Sequence, residues 1–554
     1  MQSELAYLFR HALLRDAAYQ MQLPGDRARL HAQAVEAIEA MAGGRGPAGR
    51  RLRAGGDDAV RPHPADVFAA EIAEHAGLAL ATEGARLPES AARFLESARR
   101  HYLRRAAESL ERDYRFSAAG AAWVAYAGLT GGRERAEAFR RGGQSAHRAD
   151  QLGSAVPLLR RAIALHRAAG DARAEGFARD NLATVFRDGD RRQDAERLYR
   201  QALSLQRLSG SRRLQGLTLS NYAGLLYMTG RAARASRLCT RALTLLRRAG
   251  DRHGVRRTLG NQAVLLEAAG RVAEAERTFR QARRLHRLAG DRRAEGLVLG
   301  NLAMLWQQTG RFRQAKRAHE AAIALHREAG NRRAEGVALG NLAGLHNQVG
   351  RYEQAERMFG EALAVHREVD NRRGEGSLLG DLAGVYRNTG RIELAGRTLQ
   401  DALAVHRACG NRRGEALVLG HVAKFLEETG RHLEAERSFG QALALLRKFG
   451  DPRSLGIALG DLALLYEKTS RRARAARTNA QALAFDRRVG NRTFEGVHLC
   501  LAARLLVASG QLQRARRTWR EASRLLRGAG DTAELAVQSA AMRDACGRAG
   551  QSRV

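Results

Sequence analysis

The sequence predicts an all-α fold, an α-solenoid of helical hairpins, on three observations. A period of 40 residues runs in register from about Asp171 to Gly530, nine units with no insertion or deletion. Within a unit the apolar residues fall at helical spacing in two separate stretches. In the unit Asn331 to Asp370 these are Leu339, Leu342, Ala343 and His346, then Ala355, Phe359, Ala362 and Leu363. A glycine stands between the two stretches, where the first helix has to end: Gly350 here, and Gly230, Gly270, Gly310, Gly390, Gly430 and Gly510 elsewhere.

Three columns hold alanine in all nine units and mark where helices approach most closely. One runs from Ala183 through Ala343 to Ala503, the second from Ala195 to Ala515, and the third from Ala202 to Ala522, each in steps of 40. Small residues at these spacings let helix axes come to about 8 Å. Large residues fill the gaps between them, as in the leucine column of Leu339 and the aromatic positions Phe186, Trp306, Tyr386 and Tyr466, and Tyr199, Phe279, Phe359, Phe439 and Trp519.

The order large, Leu, small, large, Gly, Ala, aromatic, Ala, seen in Leu339, Leu342, Ala343, His346, Gly350, Ala355, Phe359 and Ala362, resembles the tetratricopeptide repeat. The resemblance implies a right-handed superhelix whose concave groove, lined by first helices, holds ligands. The period departs from that family's usual one by six extra residues in the inter-repeat segment, as in REVDNRRGEG, where the family's usual proline is missing. Similar long repeats occur in bacterial regulators and in animal spindle-orientation adaptors of the Leu-Gly-Asn type.

The N-terminal part is different. Phe9-Arg10-His11-Ala12-Leu13, Ala17-Ala18-Tyr19, Leu23-Pro24 and Leu30-His31 resemble the last stretch of the ATPase module in bacterial signal-transduction ATPases. Five of the seven prolines lie before residue 100, and Ala42 to Pro64 reads as a Gly/Arg/Pro-rich linker. The expected organisation is therefore a helical remnant at 1–41, a linker at 42–64, and a helical region with two degenerate repeat-like units at 65–170. Nine full units at 171–530 and closing helices at 531–554 complete it. A phosphate loop GxxxxGK[ST] needs a lysine after glycine, and none of Lys316, Lys424, Lys448 and Lys468 follows one. ATP hydrolysis by that mechanism is not expected. A separate half of a split regulator, or a misplaced start codon, would account for the missing core.

Composition bounds the rest. With 94 Lys+Arg against 58 Asp+Glu the formal charge is +36, yet only four of the basic residues are lysines, a bias that G+C-rich coding produces without selection for an anionic partner. Cys239, Cys409, Cys500 and Cys546 are far apart with no CxxC, which excludes a disulfide framework and a zinc ribbon and predicts reduced thiols in a cytoplasmic protein. No run of 18 apolar residues exists, and the charged start MQSELAYLFRHALLRD does not read as a signal peptide. No membrane association is expected.

Several patterns resemble catalytic or metal motifs without meeting their requirements. The column His166, His286, His326, His366 and His406 would place successive imidazoles roughly 10 Å apart, one helix diameter. Two nitrogens sharing a zinc at about 2.1 Å each lie within about 4 Å of one another, so this column predicts packing. His319-Glu320-Ala321-Ala322-Ile323 fails HExxH at Ile323, Gly374-Glu375-Gly376 sits in an inter-repeat loop, and no GxSxG occurs. Neither a catalytic set, a cofactor site nor a metal site is expected. The arginine columns of Arg311, Arg327 and Arg332-Arg333 fall at caps, last turns and loops, where cations favour the helix macrodipole by about 0.3 to 1 kcal/mol.

The side of the first helix opposite Leu339 and Ala343 is made by Val337, Asn341, Gly344 and Gln348. Through nine units these columns hold Arg257, Lys424, Lys468 and Arg504 against Asp188, Asp381, Asp461 and Glu428, a groove with no net charge. Nucleic acid is therefore not expected in it, because affinity for phosphates comes largely from basic residues. The groove instead offers apolar residues (Leu217, Leu297, Val337) and a polar column, Asn181, Asn221, Asn261, Asn301, Asn341, Asp381, His421 and Asp461, with Gln308 and Gln348 beside it. An amide both donates to and accepts from a peptide bond, which suits an extended chain. Its alternative use is bonding between neighbouring helices. The glycine column Gly260 to Gly460 likewise reads either as clearance for a ligand or as close helix packing. The expected function is a non-enzymatic scaffold for a peptide or partner protein, which includes a separate ATPase or signalling subunit, in bacterial signalling or transcriptional regulation. The alternatives are a nucleic-acid-associated regulator using an arginine-rich outer surface and the sensor arm of a split ATPase.

Overall fold

A computed structural model describes residues 21–49, 51–52, 60–81, 87–189, 191–449, 451–528 and 532–550. The motif residues at 9–19 lie outside them. Among the described residues the fold is α-helical throughout, with a short 3-10 turn at Pro64–Asp66 and no strand. It is an all-α solenoid of helical hairpins. Among the same residues no helix is long and apolar enough to cross a membrane. The chain divides into two compact units, Met1–Val185 with Arg200–Gly210, and Phe186–Tyr199 with Ser211–Val554.

In the first unit, Val35, Ile72, Ala76, Leu95, Ala98 and Tyr102 close a core among the helices Pro24–Met41, Ala69–Ala81 and Glu89–Arg112. The chain before the 3-10 turn is tied to the last of these by two buried arginines. Arg105 donates to Asp66 (2.6 Å) and to the carbonyls of Pro47 (2.9 Å) and Arg61 (3.0 Å). Arg104 holds Glu108, which accepts from the Val60 amide. The hairpin of Gly132–Arg148 and Leu152–Ala168 begins 40 residues before Ala172–Asp188, already in phase with the repeats.

In the second unit the hairpins repeat with little variation, as Arg332–Gln348 and Tyr352–Glu368 show. The first helix ends because Gly350 adopts φ +75°, in the left-handed region. Gly350 N–H then donates to Asn347 O (3.1 Å) and Arg351 N–H to His346 O (2.8 Å), satisfying carbonyls that the helix leaves open. Ala343, Ala355 and Ala362 are wholly buried and Phe359 nearly so, packed with Leu339 and Leu342 in one continuous core. Past the last hairpin one helix, Thr532–Arg548, sets Met542 and Cys546 against Ala503, Val507 and Ala515.

The six extra residues build the junction between hairpins. Asn371 opens a first helix, accepting from Gly374 N–H at 3.2 Å, and its amide lies 2.9 Å from His366 Nδ1 of the preceding helix. Four residues on, the buried Glu375 accepts from Arg367 (2.7 Å) and Arg372 (3.1 Å). The same clamp recurs at Glu335, Glu415 and Glu495. Arginines after the caps are also engaged: Arg391, after Gly390, pairs with Glu356 (2.7 Å) and stacks on Tyr386, and Arg471, after Ser470, does the same with Glu436 and Tyr466.

Within this unit the early hairpins also meet the late ones. Arg373 donates to the Asp188 carbonyl (3.2 Å), Arg192 lies 3.8 Å from Asp451, and the Arg453 guanidinium sits over the Tyr227 ring, 4.9 Å from its centroid, and bonds its hydroxyl.

Candidate functional site

Which face is inner follows from helix contacts in the second unit. First helices of successive hairpins touch one another directly, as Arg332–Gln348 touches Arg372–Asn388, whereas second helices of successive hairpins make few close approaches. Closer spacing puts the first helices on the inside of the curve. Their exposed side is the concave surface.

A ladder of side-chain bonds, each spanning 41 residues, runs along this face. Gln307 donates to Gln348 (2.7 Å), Asn388 to Asn347 (3.0 Å) and Lys468 to Glu427 (2.5 Å), and Arg387 pairs with Glu428 (3.3 Å). Gln348 is thus a rung. Its partner column, Gln307, Asn347, Arg387 and Glu427, escaped the sequence reading because it lies one residue before the predicted one. The exposed Gln308 lies beside Glu267, whose carboxyl burial pushes up to about 7 despite the bond from Gln308.

The polar column divides in its use. Asn181, in the first unit, accepts from Arg140 (3.3 Å), Asn221 is half-buried, and Asn261 donates to Ser220 (3.1 Å). At the other end Asp461 pairs with Lys424 (2.9 Å), and His421 bonds the Gly380 carbonyl. Between them Asn301, Asn341 and Asp381 have no side-chain partner among the described residues. Beside them Leu297 and Val337 are 49% and 48% exposed, and Leu417 further along is 45% exposed. Leu217 is buried and adds nothing to the surface.

Asn341, Asp381 and His421 come together around a cavity of about 360 Å³ on this face, with Phe359 and Phe425 in its walls. Its glycines serve two purposes. A Cβ on Gly344 or Gly384 would meet nothing within 4 Å, whereas one on Gly340 would run into Leu378. Within the column Gly260 to Gly460, Gly300 and Gly420 face open space, whereas Gly340 and Gly460 are packed against Leu378 and His498. The surrounding walls push the Asp381 carboxyl up to about 6, although the residue as a whole is exposed. His421 is brought down to about 4 by burial and by the neighbouring Lys424 and Arg387.

The histidine column lies away from this face and is buried. His366 sits under Gly336 and His406 under Gly376, each where a Cβ would come within 2.9 Å of the ring. Among the described residues no three His, Cys, Asp or Glu side chains are grouped so as to hold a metal ion.

Profiles of the tetratricopeptide repeat match residues 178–212 and 214–288 and, in overlapping windows, 294–368, 334–408, 374–448 and 414–488, together more than half of the chain. No curated protein sequence matches it. Among solved structures it is similar to a Rap protein complexed with competence and sporulation factor, at 12% identity over 62% of this chain and 96% of that one, with a TM-score of 0.46. It is similar to the apo form of the quorum sensor NprR from B. thuringiensis, at 12% identity, 61% and 98% coverage, and TM-score 0.43. It is also similar to a signal transduction ATPase with numerous domains and a tetratricopeptide repeat sensor from Pyrococcus horikoshii, at 13% identity, 78% and 64% coverage, and TM-score 0.39.

Proposed function

The chain belongs to the tetratricopeptide repeat family, and from that premise we propose that it is a non-enzymatic scaffold holding an extended peptide segment of a partner protein along its inner face. One observation carries the reading: Asn301, Asn341 and Asp381 stand without side-chain partners beside half-exposed Leu297 and Val337. Unpaired amides offer both a donor and an acceptor to a peptide backbone, and the apolar row takes alternate side chains. The partner belongs to a signalling or regulatory assembly in the cytoplasm, a separate ATPase subunit among the candidates, as the residues at 9–31 suggest by resemblance.

The arginine content supports no second reading of equal weight. Arginines of the junctions and caps hold Glu335, Glu356, Glu375, Glu415, Glu436 and Glu495, so much of the outer charge is spent within the fold. Selection of a randomised peptide display library on the immobilised protein tests the proposal. Enriched peptides are expected to lose binding to the double variant Asn301→Ala and Asn341→Ala while its helical circular dichroism is unchanged. Equal binding to both proteins would remove the inner face as the site.

A further inference from the structure

We propose that the cavity around Asp381 selects a cationic side chain, a lysine ammonium or an arginine guanidinium, from the peptide lying in the groove, an inference that rests on the reading of that groove as a peptide site. Its volume of about 360 Å³ lies at the low end of small-ligand pockets, about 300 to 1,000 Å³. One long side chain with its waters fits such a space, and a folded domain does not.

Charge on this stretch of the inner face is matched except at one residue. Lys424 is taken by Asp461 at 2.9 Å, Arg387 by Glu428 at 3.3 Å and Lys468 by Glu427 at 2.5 Å. Asp381 has no such counter-ion among the described residues, and His421, which lines the same cavity, is uncharged at neutral pH. Asp381 is exposed on the groove surface, so its carboxylate is open to a charge-assisted bond from a cation of the ligand. A cation brought by the ligand restores the balance that the chain leaves open. The recipient space is already there, since the positions of Gly344 and Gly384 face open volume.

The repeat that carries Asp381 also breaks the apolar row, which Arg257 interrupts elsewhere. Where Leu297, Val337 and Leu417 stand in neighbouring units this one has Ser377, one helical turn before Asp381, and the Ser377 hydroxyl is already bonded to the Arg373 carbonyl. Ser377 in place of an apolar residue and Asp381 in place of an amide, on one turn of one helix, define a place along the groove where a polar residue of the ligand is seated between apolar ones.

A randomised heptapeptide display library selected in parallel on the wild type, Asp381→Asn and Asp381→Lys tests this. The wild-type pool is expected to fix Lys or Arg at one position, the Asp381→Asn pool to lose that preference, and the Asp381→Lys pool to replace it with Asp or Glu. A synthetic peptide from the wild-type pool should weaken about tenfold when its basic residue becomes alanine, and millimolar free lysine or arginine should not displace it. Displacement by the free amino acid would make the site one for small cations and overturn the peptide assignment. A basic preference that persists in Asp381→Asn, or its absence from a wild-type pool still sensitive to Asn301→Ala and Asn341→Ala, would overturn the inference and leave the groove standing. No enrichment on any of the proteins would overturn the groove reading as well. Melting curves establish that the variants are folded.

Discussion

The side-chain amide of Asn371 lies 2.9 Å from Nδ1 of His366, and because the amide nitrogen can only donate, the ring nitrogen accepts and the imidazole is uncharged. Burial first, and then Arg333, bring His366 down to about 4, and His326 and His319 fall to the same level through burial. In the unfolded chain a histidine titrates near about 6.5. Between these values the unfolded state binds more protons, so the stability these rings contribute is complete above pH 6.5 and is lost as the pH falls towards 4. The thermal midpoint followed by circular dichroism should drop progressively over that window. A midpoint constant from pH 7 to 4.5 would contradict it.

Glu335 is buried and accepts from Arg327 at 2.6 Å and Arg332 at 2.7 Å. Charge-assisted bonds contribute about 1.5 to 3 kcal/mol, and here both guanidiniums are about half exposed, so solvent screens part of that. Glu335→Ala should therefore cost about 1 to 2 kcal/mol in urea unfolding. Arg313→Ala, on a side chain outside the clamp, should change little.

The glycines of the inner face should separate stability from binding. Gly344→Ala and Gly384→Ala place a methyl in open space inside a helix and should each stabilise by about 1 kcal/mol. Both narrow the cavity mouth, so peptide binding should fall as the melting temperature rises. Gly340→Ala meets Leu378 and should destabilise instead.

Burial pushes the thiols of Cys239 and Cys500 up to about 12, Cys546 is also buried, and Cys409 is partly exposed. A thiol reagent acting on the native protein at pH 7.5 should label Cys409 first, as peptide mass mapping would show. Equal labelling of Cys239 would mean that its helix opens readily.

The hairpins were legible because nine copies print the same columns: Ala343, Ala355, Ala362 and Gly350 carry the helix contacts and the turn in every unit they serve. The junction was half legible. Its Arg columns stand out, but Glu375 looks in sequence like any surface acid of a first turn, and only the structure closes two arginines over it. The groove residues were read from one helix alone. That locates a face but not its neighbours: Asn261 and Asp461 look equivalent to Asn341 in sequence although adjoining helices already hold them. The contact of Arg453 with Tyr227 was not legible at all, since it depends on small rotations accumulated over many hairpins.

That contact makes the number of hairpins matter. In an open array each unit touches its neighbours only, and a whole unit can be gained or lost with local consequences. Here Arg453 finds Tyr227 and Arg192 approaches Asp451 because a set number of hairpins lies between them. Deleting 331–370 would leave every remaining hairpin intact and yet carry both pairs past one another. The curl acts as a gauge of its own length, and descent by duplication or loss of single units is restricted by a handful of side chains that meet across it.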